Sequence, residues 1–187
     1  LAPDTYEVYT DTTATAILKK LLDQTDVVLD YAYQQRAEEL GMTMDQVLIL
    51  ASMIEKEAKT DDFSKVSAVF YNRLKSGMKL GSDATINYIT GESRLVLTTS
   101  DLAVDSLYNT YTHTGLPLGP ICNPSEDAIY AALYPDSQYV AEQYLYFCAK
   151  DPESGELAFS KTLEEHNIAV SVYQPLWEAY DQERGYD

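Results

Sequence analysis

Residues 43–58 read TMDQVLILASMIEKEA. Met44, Val47, Leu48, Ala51, Ile54 and Ala58 recur at steps of three and four, which is the period of a helix. Ile49, Leu50 and Met53 fill most of the remaining circumference. A helix that is apolar nearly all round is buried on most sides. Thr43 is a cap residue at its start, and the charged string Glu55-Lys56-Glu57 closes it. The rest of the fold must therefore wrap around this segment.

Upstream, residues 1–11 read as extended chain. Thr12-Thr13 can cap a helix running to about Leu40, with Ile17, Leu18, Leu21, Leu22, Val28, Leu29 and Ala32 on one face and Gly41 as its stop. Downstream, Asp61 or Asp62 caps a third helix. Val66, Val69, Phe70 and Leu74 point inward along it, and Gly77 ends it. Residues 78–122 mix Gly, Ser, Thr, Asn and Pro with isolated aromatics and show no sustained period, which reads as a long structured-loop region. In Asn123-Pro124-Ser125-Glu126, Asn123 is a cap and Pro124 suits the first position of a short helix to about Leu133. Residues 143–149 and 157–160 read as a hairpin around Asp151-Pro152-Glu153-Ser154-Gly155. Thr162-Leu163-Glu164-Glu165 is a capping box opening the last helix, which Pro175 should break or restart. The predicted class is α+β: one mainly helical domain over 1–187, with a small antiparallel hairpin and a long loop region.

The 187 residues include 13 Lys+Arg and 30 Asp+Glu, a formal net charge of −17. Phosphate backbones and anionic lipid surfaces repel such a chain, so nucleic acid and membrane headgroups are excluded as partners. At 45 % hydrophobic the composition is that of a folded protein. Cys122 and Cys148 form no CxxC pair, and both a disulfide and two buried thiols fit. The longest apolar run, 47–54, is too short to span a bilayer. The chain opens at Leu1-Ala2-Pro3 without an initiator Met, as a piece of a longer protein would.

There is no Gly-x-Ser-x-Gly elbow, P-loop, dinucleotide fingerprint or His-Glu-x-x-His, and only His113 and His166 supply imidazole. Acid/base chemistry by carboxylates remains. Glu55 follows Ala51, Ser52 and Leu48 on a face that must be buried, so desolvation should raise its pKa; leaving the core for solvent is the other reading. Glu57 points toward the Met53/Ile54 side and reads as a salt-bridging or solvated residue. Asp83, in Gly81-Ser82-Asp83-Ala84-Thr85, suits a polar site or an Asx turn. Asn109 could hydrogen-bond a sugar. Tyr108, Tyr111, Tyr130, Tyr134, Tyr139, Tyr144 and Tyr146 crowd a short stretch, as the lining of a groove for a neutral ring-shaped ligand would.

Several blocks in order resemble the endolytic murein transglycosylases, the MltG/YceG-like proteins. They are Pro3-Asp4-Thr5-Tyr6, LILASMIEKEA from Leu48, VFYNRLKSGM from Val69, Ser82-Asp83-Ala84-Thr85, Tyr108-Asn109-Thr110-Tyr111, GLPLGPICNP from Gly115 and Glu165-His166-Asn167. The likeness covers essentially the whole chain. Leu107 and Leu118 depart from prolines common in the family. Leu157 stands about where many members carry a histidine, so a catalytic hairpin histidine is not carried over.

The resemblance implies lytic cleavage of the β-1,4 bond between N-acetylmuramic acid and N-acetylglucosamine, leaving 1,6-anhydro ends. The first Glu of the I-E-K-E segment, Glu55, would act as acid and then base. One carboxyl suffices because the nucleophile, the muramyl C6 hydroxyl, belongs to the substrate. Asn72, Arg73, Asp83, Thr85, Tyr108, Asn109 and Tyr111 are the expected groove residues, with helix packing the other reading for Asn72 and a helix-surface ion pair the other reading for Arg73. No metal or organic cofactor is implied. The expected partners are peptidoglycan strands and the synthases of division or elongation. The expected location is the extracytoplasmic face of the bacterial membrane, held by a single-pass anchor outside these residues. A non-catalytic wall-binding or scaffold domain is the competing class.

Overall fold

A computed structural model describes residues 1–186. The segment 43–58 forms α3 (Met44–Glu57), capped by a reciprocal Thr43/Gln46 box. Val47, Leu50, Ala51, Met53 and Ile54 are fully buried along it, and Leu48 and Ile49 are partly covered. Three helices pack most closely around it. These are α4 (Phe63–Lys75), α5 (Asp83–Thr90) and α7 (Glu126–Leu133). Val66 and Phe70 of α4 and Ala128, Ala132 and Leu133 of α7 complete one core.

Two helices precede this centre, α1 (Ala14–Val28) and α2 (Tyr31–Glu39). The single helix expected from Thr12 to Leu40 is therefore divided. Asp30 accepts from Tyr33 N at 3.0 Å and caps a new start, so the chain turns at Leu29-Asp30. Leu18 and Leu22 of α1 are 48 % exposed, and α1 contributes nothing to the buried core. Residues 1–11 pair with no described strand; Ala2 N bonds Thr25 Oγ1 at 2.8 Å.

The loop region 78–122 contains two helices that aperiodicity hid, α5 and α6 (Thr99–Leu102). Each has a local signal in the sequence. Ser82 and Gly91 bracket α5, and Thr98/Asp101 form a capping box on α6. The helix after Pro124 begins two residues later than expected, because Ser125 rather than Asn123 is its cap. A short α8 (Ser137–Ala141) follows.

The hairpin is present as β1 (Tyr146–Asp151) against β2 (Glu156–Ser160), antiparallel, with Phe147 opposite Phe159 and an irregularity after Ala149. Phe147 meets Phe70 edge-on, with centroids 5.9 Å apart, and so ties the sheet to the core. α9 (Leu163–Glu183) crosses the hairpin and continues through Pro175. The proline forfeits one backbone bond. Trp177, two residues on, donates from Nε1 to Ala149 O at 2.9 Å and holds the helix on β1 past that point. Both cysteines are free thiols.

Candidate active site

Five segments converge on a cleft of about 270 Å³. The end of α3 brings Glu57 and the start of α5 brings Asp83. The loop after α6 brings Tyr111, and the hairpin and α9 close the far side with Ala149, Leu157, His166 and Trp177. Gly81 makes the junction possible. Its φ is +54°, and a Cβ there would stand 3.2 Å from Arg73 Nη1. Its N–H bonds Thr110 O at 3.0 Å, which sets the α5 start beside the Tyr111 loop.

Glu57 is one of two acids in the cleft whose pKa is raised. Its Oε1 accepts a short bond from Ser82 Oγ and a second from Ala84 N at 3.3 Å. Burial first, and the charge of Asp83 second, push its pKa up to about 7. The bonds from Ser82 and Ala84 and the charge of Arg73 act in the opposite direction without cancelling this. Asp83 is itself raised by burial, opposed by a short bond from Tyr111 Oη. Tyr111 is raised by burial and by Asp83, so its phenol keeps its proton. The cleft thus holds two neighbouring carboxyls, each anchored by its own hydroxyl. A carboxyl that titrates near neutrality can both give and take a proton at working pH.

Glu55 lies elsewhere. It is half-buried and faces α7, where Ser125 donates to Oε2 from N at 3.0 Å and from Oγ at 2.5 Å. Ser125 is also the α7 cap, so Glu55 fastens α3 to the start of α7. Unlike Glu55, Glu57 faces Ser82, Asp83, Ala84 and Arg73. The two residues stand about 200° apart on the helix. The reading of Glu57 as a solvated or salt-bridging residue is corrected by the same geometry.

The expected groove residues divide. Arg73, Asp83 and Tyr111 line the cleft. The guanidinium of Arg73 is committed to the chain, donating to Leu145 O and Leu80 O at 2.6 Å each, so it frames the site rather than reaching into it. Asn72 sits at a separate groove and donates to Tyr139 O and Tyr144 O. Thr85 is buried and bonds Ser82 O and Thr110 Oγ1. Asn109 is buried, donates to Leu102 O and Val104 O, and accepts from Tyr111 N at 2.8 Å. Tyr108 packs on Tyr88 with centroids 5.0 Å apart. Asn72, Thr85 and Asn109 hold the backbone that carries the site, and Tyr108 packs outside the cleft.

The tyrosine cluster does not line one groove. Tyr130 pairs with Tyr134, Tyr139 with Tyr144, and Tyr146 with His166, at separate places. Tyr111 is the tyrosine among the cleft's lining residues.

Fold and site together define an α+β domain whose cleft is built around one enclosed, near-neutral glutamate. The YceG-like family model matches residues 1–172, and the chain belongs to that family. It is 40 % identical over 164 residues to a protein of Bacillus subtilis (strain 168) named endolytic murein transglycosylase, covering 87 % of this chain and 44 % of that protein. A protein of the same name from Streptococcus pneumoniae serotype 2 is 33 % identical over 184 residues, covering 94 % of this chain and 32 % of the relative. The chain thus spans less than half the length of these curated relatives. A crystal structure of a yceG-like protein from Listeria monocytogenes superposes with a TM-score of 0.78 at 42 % identity, over 90 % of this chain and 53 % of that one.

Proposed function

We propose that this domain cleaves murein glycan strands internally, as a lytic transglycosylase, with Glu57 as the proton-transferring residue. The observation that carries the reading is the enclosed Glu57 carboxyl, titrating near 7 in a cleft beside Asp83. Protonated Glu57 gives its proton to the glycosidic oxygen as the C1–O4 bond breaks. The muramyl C6 hydroxyl then bonds to C1 and passes its proton to the Glu57 carboxylate, leaving a 1,6-anhydro end and a regenerated acid. No water is consumed. On this reading the domain works on the extracytoplasmic side of the membrane, where the strands lie. It is carried there by an anchor outside these residues and acts alongside strand synthases. None of the described helices is long and apolar enough to cross a membrane.

Asp83 supports a second reading. A paired carboxyl beside the acid is what a hydrolase uses as nucleophile or base. Product analysis by mass spectrometry separates the two. Anhydro ends support the transglycosylase, reducing ends support the hydrolase, and no product from a folded protein supports a binding module. The residue assignment is tested in parallel. Glu57→Gln should abolish cleavage with folding intact, whereas Glu55→Gln, whose amide oxygen can still accept from Ser125, should keep cleavage and most of the stability. The reverse pattern would return the acid role to Glu55.

A further inference from the structure

His166 lies in the first turns of α9 and lines the cleft with Val170 and Trp177, four and eleven residues on along one helix face. Its ring stacks on Tyr146, with centroids 5.2 Å apart and planes at 24°. The Arg73 guanidinium lies 5.1 Å from the same tyrosine ring. Nδ1 of His166 is enclosed and has no hydrogen-bond partner among the described residues. Nε2 is the ring nitrogen without that enclosure, on a residue that lines the cleft.

This asymmetry selects a tautomer. A neutral imidazole carries one N–H donor and one bare acceptor nitrogen. A proton on Nδ1 would bury an orphan donor near a cation, which is the costlier arrangement. A bare Nδ1 leaves only a lone pair there, which the charge of Arg73 favours. Burial and Arg73 also hold the imidazole pKa below its ordinary value, so the ring stays neutral in neutral solution. The cleft is thereby given a fixed N–H donor at Nε2, on a ring that packing on Tyr146 holds in place.

Resting on the glycan reading above, we propose that His166 is a substrate-binding residue whose Nε2–H donates to the acetamido carbonyl of an N-acetylated amino sugar. A sugar hydroxyl can donate or accept and would be served by either tautomer. An acetamido carbonyl oxygen accepts only, and it matches a nitrogen that can only donate.

The test uses the full-length protein, with His166→Phe to keep the stacked ring and remove the donor, and His166→Gln to keep an N–H. Each is assayed on murein strands as isolated and on the same strands chemically N-deacetylated. Wild type should prefer acetylated strands by about tenfold in kcat/KM, carried mainly by KM. His166→Phe should lose about that factor on acetylated strands and discriminate no further, and His166→Gln should recover part of it. Nitrogen NMR of the wild-type imidazole should show Nε2 protonated and Nδ1 bare, a readout that needs no activity. An Nδ1–H tautomer, or undiminished discrimination by the Phe variant, overturns the inference while cleavage itself stands. Failure of folded wild type to cut either strand overturns the glycan reading and this assignment with it.

Discussion

Glu55 and Glu57 occupy one helical turn of α3 and have different tasks. Glu55 meets hydroxyl and amide donors from Ser125 at the α7 cap. Glu57 meets Ser82 and Ala84 at the start of α5, with Asp83 between them in sequence, and is kept enclosed. Asp83 is the lever on its acidity. A nearby negative charge opposes ionisation, so neutralising it should let Glu57 lose its proton more readily. Asp83→Asn keeps the shape and can still accept from Tyr111. With Glu57 as the acid, activity depends on its protonated fraction and falls as pH rises past its pKa. The substitution should therefore move the falling limb of the pH–rate profile toward lower pH and cut the rate at pH 8 by up to about tenfold. A profile that drops in height without moving would show that Asp83 acts on substrate and leaves Glu57 unaffected.

At the scale of elements, the sequence was most readable where one local rule decides. Helix α3, the Thr162 capping box and the hairpin follow from periodicity, caps and turn residues. The divided α1/α2 helix was missed because Leu29 continues the apolar spacing across the break and only Asp30 signals a new start. α5 was missed because its eight residues are too few to show a period. Arg73, Asp83 and Tyr111 are named from the blocks that resemble the family, and all three line the cleft. On the proposed assignment the acid is not legible in the sequence, because α3 is apolar nearly all round and offers no exposed face to set its phase. Which carboxyl meets the cleft is decided by α5 and α7, and that is long-range information. Asn109 shows how a polar residue in a loop can act as a fastener. Its side chain satisfies two carbonyls and one amide, and the amide belongs to Tyr111. Asn109→Ala should cost on the order of 3 kcal/mol by urea unfolding, because three groups lose their partner. Activity should fall further than the folded fraction does, since Tyr111 loses its fixed place. A loss of activity that merely tracks folding would confine Asn109 to stability.

For the whole molecule, the site has a thermodynamic cost. An acid whose folded pKa stands above its unfolded value disfavours folding once the unfolded chain ionises. Glu57 moves from 4.5 to about 7 on folding. Below about pH 4.5 the group is protonated in both states and contributes no penalty. Between there and pH 7 the unfolded chain binds fewer protons than the folded one, so stability declines as pH rises, and above pH 7 the penalty is complete. Its full size is on the order of 3 kcal/mol. The −17 charge adds a general repulsion of the same sign, so the fall in the wild-type melting curve alone does not isolate one residue. Glu57→Gln does isolate it, because the amide oxygen can still accept from Ser82 and Ala84 while the ionisable group is gone. Wild type and variant should melt together near pH 4.5. At pH 8 the variant should melt higher, by roughly 5–10 °C for a domain of this size. Inactive yet more stable is the signature of a residue held against its own solvation for function. Equal melting at both pH values would show that Glu57 is not held away from its ordinary ionisation, and the acid role built on that enclosure would fall with it.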